Sequence, residues 1–199
     1  MNIENHKYHH GNLRDEILTA AYNFVSENGY AAMSLRSIAE NCNVSATAIY
    51  RHYKTKEHLL ADVVVKGFIE FNKFVEGDSE ANIFDKCDNY LEFAFDNKNI
   101  YDLLFSQSVV EFLQFPNILE VADSSFQTLL ESVKEHDRSL NDLSASNKAI
   151  HIWSFLHGIS SISKKMDVAL SLPDSEMPIP VRSVKRARSN LRQFIEDLF

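Results

Sequence analysis

Residues 33–60 read MSLRSIAENCNVSATAIYRHYKTKEHLL, and this stretch decides the fold. It spells two short helices joined by a tight turn and followed at once by the start of a third, the pattern of a helix-turn-helix DNA reader. Ser34 can accept from the orphan N–H groups of a helix that carries Leu35, Ile38 and Ala39 on one face. Asn41-Cys42-Asn43 should end that helix, because Asn tolerates the left-handed backbone a tight turn needs, and Val44 returns an apolar side chain to the core. Ser45 caps the second helix. Its Ala48, Ile49 and Tyr53 face inward at helical spacing, which leaves Thr47, Tyr50, Arg51 and His52 outward. A hydroxyl, a phenol, a guanidinium and an imidazole on one face can meet phosphates and base edges. The small Ser45, Ala46 and Thr47 let the helix approach a major groove closely, and its dipole favours a phosphate there. Thr55 caps the third helix, with Glu57 in its first turn.

The charge balance looks wrong for a DNA binder, since 20 Lys and Arg oppose 28 Asp and Glu for a formal charge of −8 over 199 residues. Dividing the chain resolves this. Residues 1–60 hold six basic groups, six acidic groups and five histidines, so the whole net charge lies in residues 61–199. An acidic body repels non-specific DNA and leaves binding to a few positioned contacts. The 45% apolar content is ample for a core. Five Gly and four Pro in the whole chain, with runs of Leu, Phe, Ala, Glu and Lys, predict helices throughout. No stretch reaches the ~18 consecutive apolar residues of a membrane span, and the polar N-terminus lacks a signal-peptide layout, so a cytoplasmic protein is expected. Cys42 and Cys87 have no metal-type spacing, which argues against a zinc site or a disulfide framework.

Three parts follow: a flexible N-terminal arm over residues 1–11, a DNA-binding domain over 12–60 with its motif at about 34–53, and a helical body over 61–199. The arm's Lys7, Tyr8, His9 and His10 can lie along a phosphate backbone or form a solvated tail; no metal is assigned to its histidines. Leu13, Ile17, Ala21, Phe24 and Val25 make the stripe of a buttressing first helix that Gly29 ends in a left-handed cap. From Thr55 the pattern Leu59, Leu60, Val63, Val64, Gly67, Phe68, Phe71, Phe74 runs to about Val75, some ~30 Å of helix at 1.5 Å per residue. Residues 82–126 hold nine of the chain's 22 aromatic residues. They read first as a helical core, and packing of large rings also leaves room for an apolar ligand. Pro116 separates two helices, the second over 118–136. A long helix from Ser144 closes at Leu172-Pro173. Val181, Val184, Leu191, Ile195 and Leu198 line a final one, and two such terminal helices suit an intermolecular four-helix bundle.

Ser34-Leu35-Arg36-Ser37-Ile38-Ala39, Val44-Ser45, Ile49-Tyr50-Arg51-His52-Tyr53 and Lys56-Glu57-His58-Leu59-Leu60 together resemble the DNA-binding domain of the TetR family of one-component bacterial regulators. Asn43 stands where that family usually carries Gly, and Tyr53 where Phe is common. Trp153-Ser154-Phe155-Leu156-His157-Gly158 resembles the Trp-x-x-x-His-Gly motif of one subgroup, and Tyr8-His9-His10-Gly11-Asn12-Leu13-Arg14 is similar to its usual opening. The likeness covers residues 8–60 and 149–163, and elsewhere the layout of helices only.

This resemblance implies an all-α homodimer whose three-helix domain binds a palindromic double-stranded operator, and whose C-terminal domain binds a small-molecule effector and the second copy. By family habit it implies a repressor released by its ligand. DNA contacts are expected from Ser34, Arg36, Ser45, Thr47, Tyr50, Arg51, His52 and Lys56. Of these, Thr47 and Arg51 suit base edges, and Tyr50, His52 and Lys56 suit phosphates. An apolar effector is expected among Phe93, Phe105, Phe112 and Trp153, with His157 as polar anchor; no cofactor, metal or membrane partner is expected. No H-E-x-x-H, G-x-S-x-G or phosphate-cradling glycine loop supports the rival reading as an enzyme. A third reading is a helical adaptor that no longer binds DNA, which burial of Tyr50 and Lys56 would favour.

Overall fold

The computed structural model describes residues 13–106 and 115–199, and all regular structure among them is helical. The helices are α1 (Leu13–Asn28), α2 (Leu35–Asn41), α3 (Ala46–His52), α4 (Lys56–Glu76), α5 (Ile83–Asp96), α6 (Lys98–Leu104), α7 (Pro116–His136), α8 (Asp142–Lys165), α9 (Asp167–Leu170), α10 (Ile179–Ser189) and α11 (Leu191–Glu196), with one 3-10 turn at Tyr30–Ala32. The N-terminal arm and Phe112 lie outside the described residues. No described helix is long and apolar enough to cross a membrane.

The chain folds into two compact units. The first takes everything up to Gly67 and adds Asn99–Ile118; the second is Phe68–Lys98 with Leu119–Phe199. The division therefore falls inside α4 rather than after Leu60, and the first unit borrows α6 from the middle of the chain.

In the first unit α1 packs on α2 and α2 on α3. Ile17, Ala21 and Val25 of α1, Ile38 of α2, Ile49 of α3, and Leu59, Val63 and Val64 of α4 are all buried. Asp15 and Glu16 stand in α1's first turn, where negative charge suits the helix dipole. Gly29 does take a positive φ of 77°, but with ψ 155°, so the chain leaves α1 extended rather than through a left-handed cap. Asn99 Nδ2 donates to the Ser26 carbonyl at 2.8 Å, which ties α6 to the end of α1. Gly67 is what allows α6 to seat on α4: a Cβ there would meet Leu104 Cδ2 at 3.0 Å and Ile100 Cγ2 at 3.3 Å.

In the second unit α8 packs on α5 and α10, and α11 packs on α5. Asn82 opens α5 with a reciprocal capping box to Asp85, and Asn141 caps α8 by accepting from the Ser144 N–H at 2.9 Å. The inner stripe of α8 is Ala145, Ala149, Ile152, Leu156, Ile159 and Ser163. Two expected helices are shorter than their apolar periodicity suggested. α8 stops at Lys165 instead of near Leu172, and the last helix is broken at Asn190 into α10 and α11.

Candidate nucleic-acid interface

Local chemistry builds the α2–turn–α3 motif. The Ser34 hydroxyl accepts from the Ser37 N–H at 3.0 Å while Ser37 Oγ accepts from the Ser34 N–H at 3.0 Å, so two orphan donors at the start of α2 are satisfied reciprocally. Asn43 takes the left-handed φ of 53° that its place in the turn requires. Ser45 Oγ accepts from the Ala48 N–H at 3.2 Å and starts α3. Each cap contributes about 1 kcal/mol, a large share of what holds a seven-residue helix.

The two faces of α3 divide as its sequence predicts. Ile49 is fully buried, while Thr47, Tyr50, Arg51 and His52 are exposed, Tyr50 with 56% of its surface open. Arg51 has no ion pair among the described residues. Arg36, on the exposed side of α2, differs: its Nε donates to Glu40 at 3.1 Å across one helical turn, an exposed pair worth little in water. Lys56 is half-buried at the start of α4 and reaches the Ala31 carbonyl at 3.4 Å, while Thr55 Oγ1 accepts from the His58 N–H at 3.4 Å. A guanidinium, an imidazole, a phenol and a hydroxyl thus share the open face of one short helix, with a lysine at the head of the next.

Below that face lies a polar knot. Tyr53, the C-cap of α3, is 2% exposed, and its hydroxyl donates to Asp62 Oδ2 at 2.9 Å. Arg14 of α1 donates to the same oxygen at 2.9 Å and lies 5.3 Å from the centre of the Tyr53 ring. Burial, and then the bond to Asp62, push the Tyr53 phenol up to about 12. Tyr in place of the common Phe adds a hydroxyl that must reach solvent or a partner. That the partner is Asp62, joined by Arg14, was missed, because nothing local in the sequence pairs residues 14 and 62.

The sequence profile of the bacterial regulatory proteins of the tetR family matches residues 17–63, and the tetracyclin repressor-like C-terminal domain profile matches residues 83–176. The chain belongs to the TetR family. Among curated relatives, the HTH-type transcriptional regulator UidR of Escherichia coli K12 is 31% identical over 68 residues, which is 32% of this chain and 35% of the relative. The chain thus matches about a third of the length of that relative. Two solved structures share the fold nearly end to end. A Rhodococcus sp. RHA1 protein of unknown function has a TM-score of 0.71 at 22% identity over 97% of this chain and 98% of its own. The regulator FadR of Bacillus subtilis, in complex with stearoyl-CoA, has a TM-score of 0.62 at 20% identity over 88% and 97%.

The TetR-like body places the residues expected at an effector as follows. Phe93 is buried in the second unit, edge-on to Phe71 and Phe74 with ring centres 5.1 and 5.8 Å apart. Trp153 and His157 stack one turn apart on α8, 5.9 Å between centres and half-buried. Burial lowers the His157 imidazole from its ordinary value. Phe105 belongs to the first unit, its ring 4.7 Å from that of Tyr101. The outer face of α8 was not picked out from sequence as a separate stripe. It carries Leu143, Ile150 and Ile162, exposed at 72, 38 and 43%, with Gly158 open between them, and on α11 Phe194 stacks on Phe155 at 5.6 Å.

Proposed function

We propose that the chain is a homodimeric, sequence-specific DNA-binding transcriptional repressor of the cytoplasm, released from a palindromic operator by a small-molecule effector, and not an enzyme. The open face of α3 carries this reading: Arg51, with no carboxylate partner among the described residues, flanked by Thr47, Tyr50 and His52. Thr47 and Arg51 meet base edges; Tyr50, His52 and Lys56 meet phosphates. Arg36 exchanges Glu40 for a phosphate, and Ser34 and Ser45 hold the two helix starts on the same side. Exposure of Tyr50 runs against the adaptor reading, while Lys56 is half-buried.

Residues 12–60 read DNA, and residues 61–199 bind the effector and the second copy. The exposed apolar stripe of α8 and the Phe155–Phe194 stack supply the dimer contact with α10 and α11, a face too apolar to be left in water. The effector is mainly apolar and is taken up among the aromatic residues of the body, with Trp153 and His157 toward its polar end. The stearoyl-CoA held by the Bacillus subtilis regulator of the same fold supports an apolar chain as the recognised part.

Selection of duplexes from a random pool tests the reading. One palindromic sequence should be enriched, and Thr47 or Arg51 variants should change the preferred bases. Lys56→Ala should weaken all sequences equally and lower the salt slope by about 1, since one fewer counterion is released. Enrichment of no sequence would refute the assignment.

A further inference from the structure

The knot under the reader helix has a use beyond stability. α3 is only seven residues long, and Ile49 is its one fully buried side chain. Besides its packing on α2, the helix is held by Ile49 and by the buried Tyr53 ring at its C-cap, and apolar contacts alone set its rotation only loosely. Rotation by a few tens of degrees would carry Thr47 and Arg51 away from the base edges they meet. Tyr53 sits where a lever would act, at the C-cap of α3 and three residues before α4 begins. Its hydroxyl reaches Asp62 in the second turn of α4, and Arg14 closes on the same oxygen from α1. Three helices thus converge on one carboxylate oxygen, through the Arg14 ion pair and a partly buried phenol bond.

We propose that Tyr53, through its hydroxyl on Asp62, is a positioning residue for sequence readout: it fixes the rotation of α3 against α4 and α1, and Asp62 and Arg14 are the anchor. The inference rests on α3 being the DNA-reading helix. A ring without the hydroxyl would fill the same space and keep the core, yet lose the one directional contact that fixes the angle. The contribution therefore falls on discrimination between sequences rather than on folding. Non-specific binding, which needs only cations near phosphates, does not depend on the angle.

The test uses the full chain, a duplex enriched by wild type from a random pool, and a scrambled duplex of equal length and charge. Affinities for both are read by fluorescence anisotropy at one salt concentration, with thermal unfolding followed alongside. Tyr53→Phe should lower affinity for the enriched duplex about three- to tenfold, the worth of one partly buried hydrogen bond, and leave the scrambled duplex unchanged. Asp62→Asn, which keeps an acceptor for the phenol, should lose less than Asp62→Ala. Tyr53→Phe combined with Asp62→Ala should be no worse than Asp62→Ala alone, as expected of two partners in one contact. Equal losses on both duplexes that follow a fall in folded fraction, additive losses, or an unchanged ratio would overturn the positioning role. Failure of wild type to enrich any duplex would instead refute the DNA-reading assignment, and this inference with it.

Discussion

Gly67 offers a test of how the first unit is locked together. In the interior of a 21-residue helix, Gly→Ala ordinarily stabilises by about 0.8–1 kcal/mol, because Ala loses less backbone freedom on folding. Here the new methyl would lie 3.0 Å from Leu104 Cδ2 and 3.3 Å from Ile100 Cγ2, and both side chains are 1% exposed, with no open space to move into. Forcing a methyl into such a contact costs roughly 1–3 kcal/mol. The clash outweighs the propensity, so Gly67→Ala should lower stability by about 1 kcal/mol. Gly67→Val, with two more methyls and a poorer helix propensity, should lower it by ~3 kcal/mol or more. Urea unfolding followed by far-UV circular dichroism reads this directly. With a slope of about 2 kcal/mol per molar, the midpoint should fall by ~0.5 M for Ala and several times that for Val. A midpoint that rises with Ala, as unopposed helix propensity requires, would show that α6 is not seated against α4 at Gly67.

Three further outcomes follow from burial and exposure. Because burial lowers the His157 pKa in the folded chain, stability should be full above the ordinary imidazole value of ~6.5 and fall as pH drops through the lower folded value; His157→Gln should flatten that limb of a pH–Tm curve, and an unchanged limb would assign it to other groups. Ile150→Asp and Ile162→Asp, on the open face of α8, should give monomers by ultracentrifugation with helicity retained, whereas Leu191→Asp, at a position 3% exposed, should unfold the C-terminal helices whatever the oligomeric state. Burial pushes the Cys87 thiol up to about 12, so a thiol reagent should modify the half-buried Cys42 well before Cys87, and equal rates would mean that α5 opens freely.

What could be read from the sequence follows the range of the interactions that decide each feature. Ser34, Ser45 and the left-handed Asn43 act within three or four residues, so the turn and both helix starts were legible from residue chemistry alone. The inward and outward faces of α3 were legible for the same reason, since one helical period fixes them. Tyr53 left open whether its hydroxyl meets solvent or a partner, because Asp62 and Arg14 come from other helices and only the fold brings them to one oxygen. The break at Asn190 had a local signal that the apolar period masked: the Arg186 carbonyl accepts from both the backbone N–H and the side-chain Nδ2 of Asn190, at 3.0 and 2.9 Å. An Asn that competes for the ladder in this way ends a helix. The stop of α8 at Met166 is different in kind. The Met166 N–H is shared between the Ile162 and Ser163 carbonyls, and Asp167, next in the chain, is held by Lys98 at 2.7 Å. An exposed ion pair to a residue 69 positions away accompanies the start of α9 there, and nothing local in the sequence announces it. A run of apolar residues also does not say which of two faces meets its own chain. Leu191 and Phe194 stand three apart on α11, one buried and one 41% open, and only the docking of α11 on α5 separates the core side from the open side.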